Sequence, residues 1–369
     1  MVMTTKLPTA DRAMSRLMSV RVACRASVII VNYNGRDYIG ACLDSLLSVL
    51  PSDCEVIVVD NASTDDSVAY IEAEYPFVRL VRSDTNGGFS HGNNLGVEYA
   101  QGEFLAFLNP DTIVSKGWLE SLIGVLASDT TFGMTTSKIL LLRDPKRINA
   151  CGNTMHLSGL TLCRGVNEES HKYVELAEVS AVSGAAFAMR KSVFESIGKF
   201  DELMFMYMDD TDLSLRVRLA GYKCIYVPDS IVYHDYALRF GPNKTYYQER
   251  NRYIMLLKTL RWRTLFVLLL PIMLAEAISW GFVMLREKRN LRNKIRAYAD
   301  ILNLWPEIMM ERRKVQASRR VGDREMIRKL SYKIEFEQTG KGFIATAAHL
   351  IFDPLFYLAY QFATTMIRW

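Results

Sequence analysis

With 369 residues, half of them hydrophobic, the chain is long for one domain, short for three, and able to bury a sizeable core. Its net charge of +5 hides an asymmetry, with acids gathered between Asp53 and Asp235 and bases between Arg286 and Lys333, a stretch suited to nucleic acid, an anionic membrane surface or a solvated helix face. Six cysteines (Cys24, Cys42, Cys54, Cys151, Cys163, Cys224) include no CxxC pair, which argues against a zinc site or a disulfide framework and for reduced thiols.

Residues 1–26 carry Arg12, Arg16, Arg21 and Arg25 without a long apolar core, so a loose tail is expected rather than a secretory signal. From Ser27 the chain alternates strand and helix signals. Ser27–Asn32, Glu55–Asp60, Phe77–Arg82 and Glu103–Leu108 read as strands, the β-branched runs among them as buried parallel ones. Asp37–Val49, Thr64–Tyr75 and Phe89–Ala100 read as the helices between them. The order predicts an α/β domain with a doubly wound, mostly parallel sheet. Further on, Val179–Arg190 reads as a strand whose Gly184, Ala185 and Ala186 permit a close approach. Asp209–Ala220 reads as a helix, Tyr222–Val227 as a strand, and Tyr233-His234 as the end of another extended run.

In such sheets ligands bind beyond the carboxyl ends of the strands. Asn32-Tyr33-Asn34-Gly35, Asp60-Asn61-Ala62-Ser63 and Asn109-Pro110-Asp111 collect there. A carboxylate such as Asp111 can face a diphosphate when Mg²⁺ or Mn²⁺ lies between them, although Asn-Pro-Asp is also an ordinary turn. Asp60 can accept from a base N–H. Asn86-Gly87-Gly88-Phe89 precedes a helix, where backbone N–H groups meet phosphate. Asn93 and Asn94 lie within that helix, where Asn is disfavoured. Asp209, Asp210 and Asp212 repel one another, so they serve a metal, an acceptor hydroxyl or a helix N-cap. His234 is a metal ligand if an ion is near and structural otherwise.

VVDNAST (58–64), NGGFSHGNNLG (86–96), FLNPDT (107–112), SGAAFAMRKSVFESIGKFDE (183–202), DDTDLSLR (209–216), GYKCIYVPDSIVYH (221–234) and YQERNRYIMLLK (247–258) together resemble glycosyltransferase family 2, a GT-A fold, nearest its rhamnosyltransferase-like members. The resemblance runs from about Ser27 to Lys258. It implies a catalytic domain over 27–258 and a nucleotide-sugar site drawn from Asn32, Asn34, Asp60, Asn61, Ser63, Asn86, Gly88, Asn94, Asn109 and Asp111. Asp60 then contacts the base, and Asp111, as the last acid of the family's DxD, binds metal and diphosphate. Asn109 stands at the first acid's position, leaving fewer charged ligands. His234 completes the metal shell, Asp210 is the catalytic base, and Asp209 and Asp212 support it or the acceptor. The implied reaction is an inverting, metal-dependent transfer of one sugar, from a dTDP- or UDP-sugar such as dTDP-rhamnose, to a hydroxyl of a lipid-linked or cell-surface glycan. Gln248 to Tyr253 does not fit the QxxRW signature of processive synthases, since Asn251 stands at its Arg and no Trp follows.

Residues 259–369 change character. Leu265–Leu285 and Gly342–Ile367 are apolar, and a basic helix-prone segment separates them. Were Leu265–Leu285 a span, Arg286, Lys288, Arg289, Arg292, Lys294, Arg296 and Arg312-Arg313-Lys314 would lie outside, against the positive-inside tendency. Pro271 and Glu276 add to the cost. The expectation is a helical region lying at or dipping into the cytoplasmic face of the cell membrane, its basic helices on anionic headgroups. Two spans, or an ordinary helical subdomain, are the alternatives, and Gly342–Ile367 can equally pair two copies. No nucleic-acid partner is expected. Rival functions are transfer to a polyprenyl phosphate, which the acids of Asp209–Asp212 would repel; a non-catalytic nucleotide-binding surface module; and an oxidoreductase, for which Asn32–Gly35 lacks the glycines.

Overall fold

The computed structural model describes residues 25–236, 242–336 and 343–369. The expected N-terminal tail lies outside them up to residue 24.

The first half follows the hydrophobic pattern. β1 (Ala26–Asn32), β2 (Cys54–Asp60), β3 (Arg79–Arg82) and β4 (Phe104–Leu108) form a parallel block in the order β4-β1-β2-β3. Alternate side chains of β1 face opposite layers. Val28 and Ile30 pack with α1 (Arg36–Leu47) and α4 (Trp118–Ser128), through Ile39, Leu43, Trp118 and Leu122. Ile29 packs on the other face with Phe107, Phe187 and α3 (Gly88–Tyr99). α3 lies so near the sheet that a Cβ on Gly96 would sit 2.6 Å from Ile29 Cγ2. The remaining helix of this half, α2, spans Ser67–Glu74.

The sheet continues as a mixed one, which corrects the mostly parallel expectation. β5 (Thr112–Val114), β6 (Phe132–Leu141), β7 (Asp144–Ala150), β10 (Ala177–Glu178), β11 (Ala186–Arg190) and β12 (Lys223–His234) extend it past β4. β11 runs antiparallel between β4 and β6, and β6 pairs parallel with β12. The run expected as one strand over Val179–Arg190 is broken, because residues 183–185 leave the ladder to meet the acid helix. β8 (Asn153–Met155) and β9 (Thr161–Cys163) form a separate hairpin. α5 (Lys191–Ser196) and α6 (Asp209–Leu219) complete this part, and the two runs expected around Tyr222–His234 are the single strand β12.

α7 (Pro242–Thr259) leads into the C-terminal helices α8 (Trp262–Val267), α9 (Leu269–Arg286), α10 (Leu291–Asn303), α11 (Trp305–Ser318), α12 (Asp323–Arg328) and α13 (Phe343–Met366). They share a core with the sheet-bearing part: Met204, Met208 and Leu215 pack in one cluster with Ile254, Ile301, Ile308 and Ile367. Glu276 does not face outward. It pairs with Arg252 and, at 3.3 Å, with Lys294, and accepts from the Tyr253 and Tyr298 hydroxyls. Lys294 and Arg312 are buried, so these two of the expected headgroup-facing bases serve the interior instead. Among the described residues no single helix is long and apolar enough to cross a bilayer, and α9 meets the next helical stretch at 115°.

A candidate active site at the carboxyl ends of the strands

The short antiparallel pairing of β5 with the end of β12 sets Thr112 opposite His234, which puts Asp111 beside the histidine. His234 Nε2 lies 3.3 Å from Asp111 Oδ1. Behind it, the ring's Nδ1 lies 2.9 Å from Asn149 Oδ1. With Nδ1–H donating to that oxygen, Nε2 turns its lone pair toward the Asp111 carboxylate. Two acceptors held face to face fit a cation between them, and a histidine fixed through its second nitrogen is the usual metal-ligand arrangement. Among the described residues no group of three or more His, Cys, Asp or Glu side chains could hold a metal ion. The remaining ligands would then be water and phosphate oxygens, as Mg²⁺ and Mn²⁺ commonly take.

Asn32 and Asp60 are cross-strand partners at the ends of β1 and β2. Asp60 Oδ2 accepts from the Ser63 backbone, while its Oδ1 is buried without a partner. That orphaned acceptor suits a ligand N–H. Asn32 Oδ1 is likewise buried and unpartnered, and its Nδ2 donates to Ser67 and Ser63. Asn34 Oδ1 accepts from the Thr64 and Asp65 backbones, and Ser63 Oγ accepts from Asn34 N. These residues knit the two strand-end loops together.

The turn before α3 differs from the expectation. Gly87 N–H donates to Asn61 Oδ1, Gly88 N–H to Asn86 Oδ1, and Phe89 N–H to the Phe205 carbonyl at 2.6 Å. These amides, expected to meet phosphate, are already used. Gly88 is there for a different reason: its φ is +79° and a Cβ would sit 2.1 Å from Phe205 O. Asn94 also turns away, donating to Phe200 O and Glu202 and accepting from Phe200 N. These bonds make it a clamp on the 200–202 loop.

The three acids of α6 separate. Asp210 Oδ2 accepts from Gly184 N–H at 2.8 Å and Asn153 Nδ2 at 3.3 Å, and its Oδ1 from Thr211 N–H. The small residues read at 184–186 thus admit the acid helix. The next carbonyl, Ala185, accepts from Asn109 N–H, which ties Asp210 to the Asn109–Asp111 turn. Asp209 accepts from Ser90 Oγ on α3. Burial, with the neighbouring Asp210 charge adding to it, pushes the Asp209 carboxyl up to about 7. Burial also raises Asp210, against the hydrogen bonds from Gly184 and Thr211. Both carboxyls are therefore held above the usual carboxylate range, Asp209 by burial and a neighbouring charge, Asp210 by burial against its hydrogen bonds.

Asp212 points the other way. It is 0% exposed and pairs with Arg216 at 2.8 Å and Lys258 at 3.0 Å, and Lys258 also reaches Asp201. Helical spacing turns it from Asp209 and Asp210 into this ion-pair cluster. Sequence reading missed Asn149 and Asn153, isolated amides whose spacing carries no signal. It also missed Lys244, whose Nζ lies 5.8 and 5.7 Å from the Tyr207 and Tyr236 rings.

Residues 27–198 match the family model described as glycosyl transferase family 2. Over 239 residues the chain is 26% identical to an N-acetylglucosaminyl-diphospho-decaprenol L-rhamnosyltransferase of Mycobacterium tuberculosis, covering 58% of this chain and 77% of that one. It spans 25% and 61% of two other curated relatives it matches. The fold is shared with S. aureus TarS 1-349 in complex with UDP-GlcNAc (TM-score 0.53, 19% identity, 92% of this chain and 88% of that). It is shared too with GalNAc-T7 with UDP, GalNAc and Mn²⁺ (TM-score 0.53, 19% identity, 63% and 48%). Residues 27–198 are a glycosyl transferase family 2 domain on a GT-A-like α/β scaffold.

Proposed function

We propose that the chain is an inverting, metal-dependent glycosyltransferase that moves one sugar from a dTDP- or UDP-sugar, with dTDP-rhamnose the first donor to try, to a hydroxyl of a lipid-linked or cell-surface glycan. Residues 27–258 form its catalytic unit. The observation that carries this reading is the pairing of Asp111 with His234 on one side of the Asn109 turn and Asp210 on the other, tied together through Gly184 and Ala185. The rhamnosyltransferase relative, named for a decaprenol-linked substrate, supports the donor and the acceptor class. The Mn²⁺, UDP and UDP-GlcNAc of the structural neighbours support a divalent ion and a nucleotide sugar.

In this reading Asp60 Oδ1 accepts from the base, and Asp111 and His234 hold Mg²⁺ or Mn²⁺. The ion would offset charge on the departing diphosphate. Asp210 takes the proton of the acceptor hydroxyl, whose oxygen bonds to the anomeric carbon as the bond to the diphosphate oxygen breaks. The nucleoside diphosphate leaves with that electron pair, and one in-line displacement inverts the anomeric centre. Proton removal by a placed carboxylate is worth about a hundredfold or more.

Residues 259–369 rest on the cytoplasmic face of the cell membrane. α9 and α13 support this with exposed stripes that carry no charge: Leu270, Met273 and Leu285 (82% exposed) on one, Leu350 (75%), Leu358 and Phe362 on the other. Exposed Lys288, Arg289 and Arg292 flank them and suit anionic headgroups.

The test is binding and turnover of a sugar-nucleotide panel by detergent-purified protein with Mn²⁺, Mg²⁺ or chelator. Asp111→Ala should lose metal-dependent donor binding, and Asp210→Asn should bind donor but turn over about a hundredfold or more slowly. If no sugar nucleotide binds in either metal, the enzyme reading fails.

A further inference from the structure

The turn that delivers the acid pair to the cleft runs against backbone preference. Three of the four residues before Asp209 have positive φ without being glycine: Phe205 (φ 62°), Tyr207 (63°) and Met208 (68°). Such residues persist only where the surroundings over-determine them. Here the surroundings are two side chains of α7. Asn251, 0% exposed, points its Nδ2 at three carbonyls, Met204 (2.8 Å), Met206 (2.9 Å) and Tyr207 (2.8 Å). Arg250 donates from Nη2 to Leu203 O (2.5 Å) and Met204 O (3.1 Å). Its Nε–H donates to Asn251 Oδ1 (3.0 Å), which fixes the amide with its donors toward the turn. The one carbonyl between, Phe205, accepts from Phe89 N–H. Every carbonyl from 203 to 207 therefore has a donor supplied from outside the turn.

We propose that Asn251, oriented by Arg250, is a positioning residue for the acid pair, holding residues 203–208 in the positive-φ turn that starts α6 at Asp209. The proposal rests on Asp210 being the base. Without the amide the turn relaxes toward ordinary backbone angles, and Asp209 and Asp210 shift and take up water. A displacement of the order of 1 Å at a reacting group costs about a hundredfold in rate.

The test uses the full chain with a turned-over sugar nucleotide, comparing the wild type with Asn251→Ala and Arg250→Lys. The latter keeps the charge and loses the Nε donor. Expected are faster amide hydrogen exchange over 203–212, kcat down about a hundredfold in Asn251→Ala and less in Arg250→Lys, donor KM unchanged, and an acidic limb of the pH–rate profile moved to lower pH. Unchanged exchange in Asn251→Ala overturns the clamp, and this readout stands even if no sugar nucleotide is turned over, in which case only the function reading falls. Faster exchange with kcat and pH profile unchanged overturns the positioning role. If Asn251→Ala does not fold, Arg250→Lys is measured in its place: faster exchange with a lower kcat supports the clamp, and unchanged exchange overturns it.

Discussion

Asp209 and Asp210 on one hand, and Asp212 on the other, begin the same helix and meet opposite fates. Asp212 is buried among cations, with Arg216 and Lys258 against it. Asp209 is also buried, 5% exposed, yet its contacts are a serine hydroxyl and a second acid. One turn of helix thus separates carboxylates whose charge the fold neutralises from carboxylates whose charge it leaves raised in energy. Uncompensated burial is a cost the fold carries only where it serves something, so the difference points to the chemistry more sharply than the acid count does.

The comparison can be broken first at Lys258. Lys258→Met strips Asp201 and Asp212 of their shared cation and should cost about 3–5 kcal/mol of stability in urea unfolding. A loss below about 1 kcal/mol would mean that Asp212 is no better compensated than Asp209. Next, Asp209→Asn should change the pH dependence of stability. With its pKa raised to about 7 in the fold, Asp209 keeps its proton between about pH 4 and 7 while the unfolded chain releases it, so the wild type loses stability as pH rises through that window. The variant removes that slope. Its melting temperature should match the wild type near pH 4 and exceed it near pH 8, and parallel curves would show that Asp209 is not raised. The smallest effect is expected from Ser90→Ala. Losing the hydroxyl donor should push Asp209 higher by less than about one pH unit, read from the same melting curves. A downward shift would place the Ser90 contact on the wrong side of the balance.

How legible all this was depended on the range of the interactions. The parallel block declared itself because β1, β2 and β4 carry continuous apolar runs. β6, the strand between β11 and β12, did not. Its middle reads Thr135-Thr136-Ser137-Lys138, which resembles a loop, yet all four are buried. Their polar atoms are met by Leu122 O, Ala186 O, Ser230 and Lys172 O, partners that no local window contains. The site divides in the same way. Asp60, Asp111, His234 and Asp210 lie at element ends, where position in the chain already implies the cleft. Asp212 and Asn94 look equivalent to them in sequence, and only partners on distant elements turn them inward. The amides before α3 read as a phosphate cradle because nothing local shows that Asn61 and Phe205 take two of them.

α7 carries three sets of ties along its length. Lys258 holds Asp212 and Asp201, Arg250 and Asn251 hold the turn before the acids, and Glu249 and Arg252 reach Lys294 and Glu276. For anyone trimming the protein to a water-soluble fragment, the natural cut after Lys258 is therefore the wrong one. It would leave Glu249 and Arg252 facing solvent and remove Ile301, Ile308 and Ile367 from the cluster that also contains Met204 and Met208. Solubility is better sought by recolouring the exposed faces of α9 and α13 with polar residues, leaving their inner faces to support the turn.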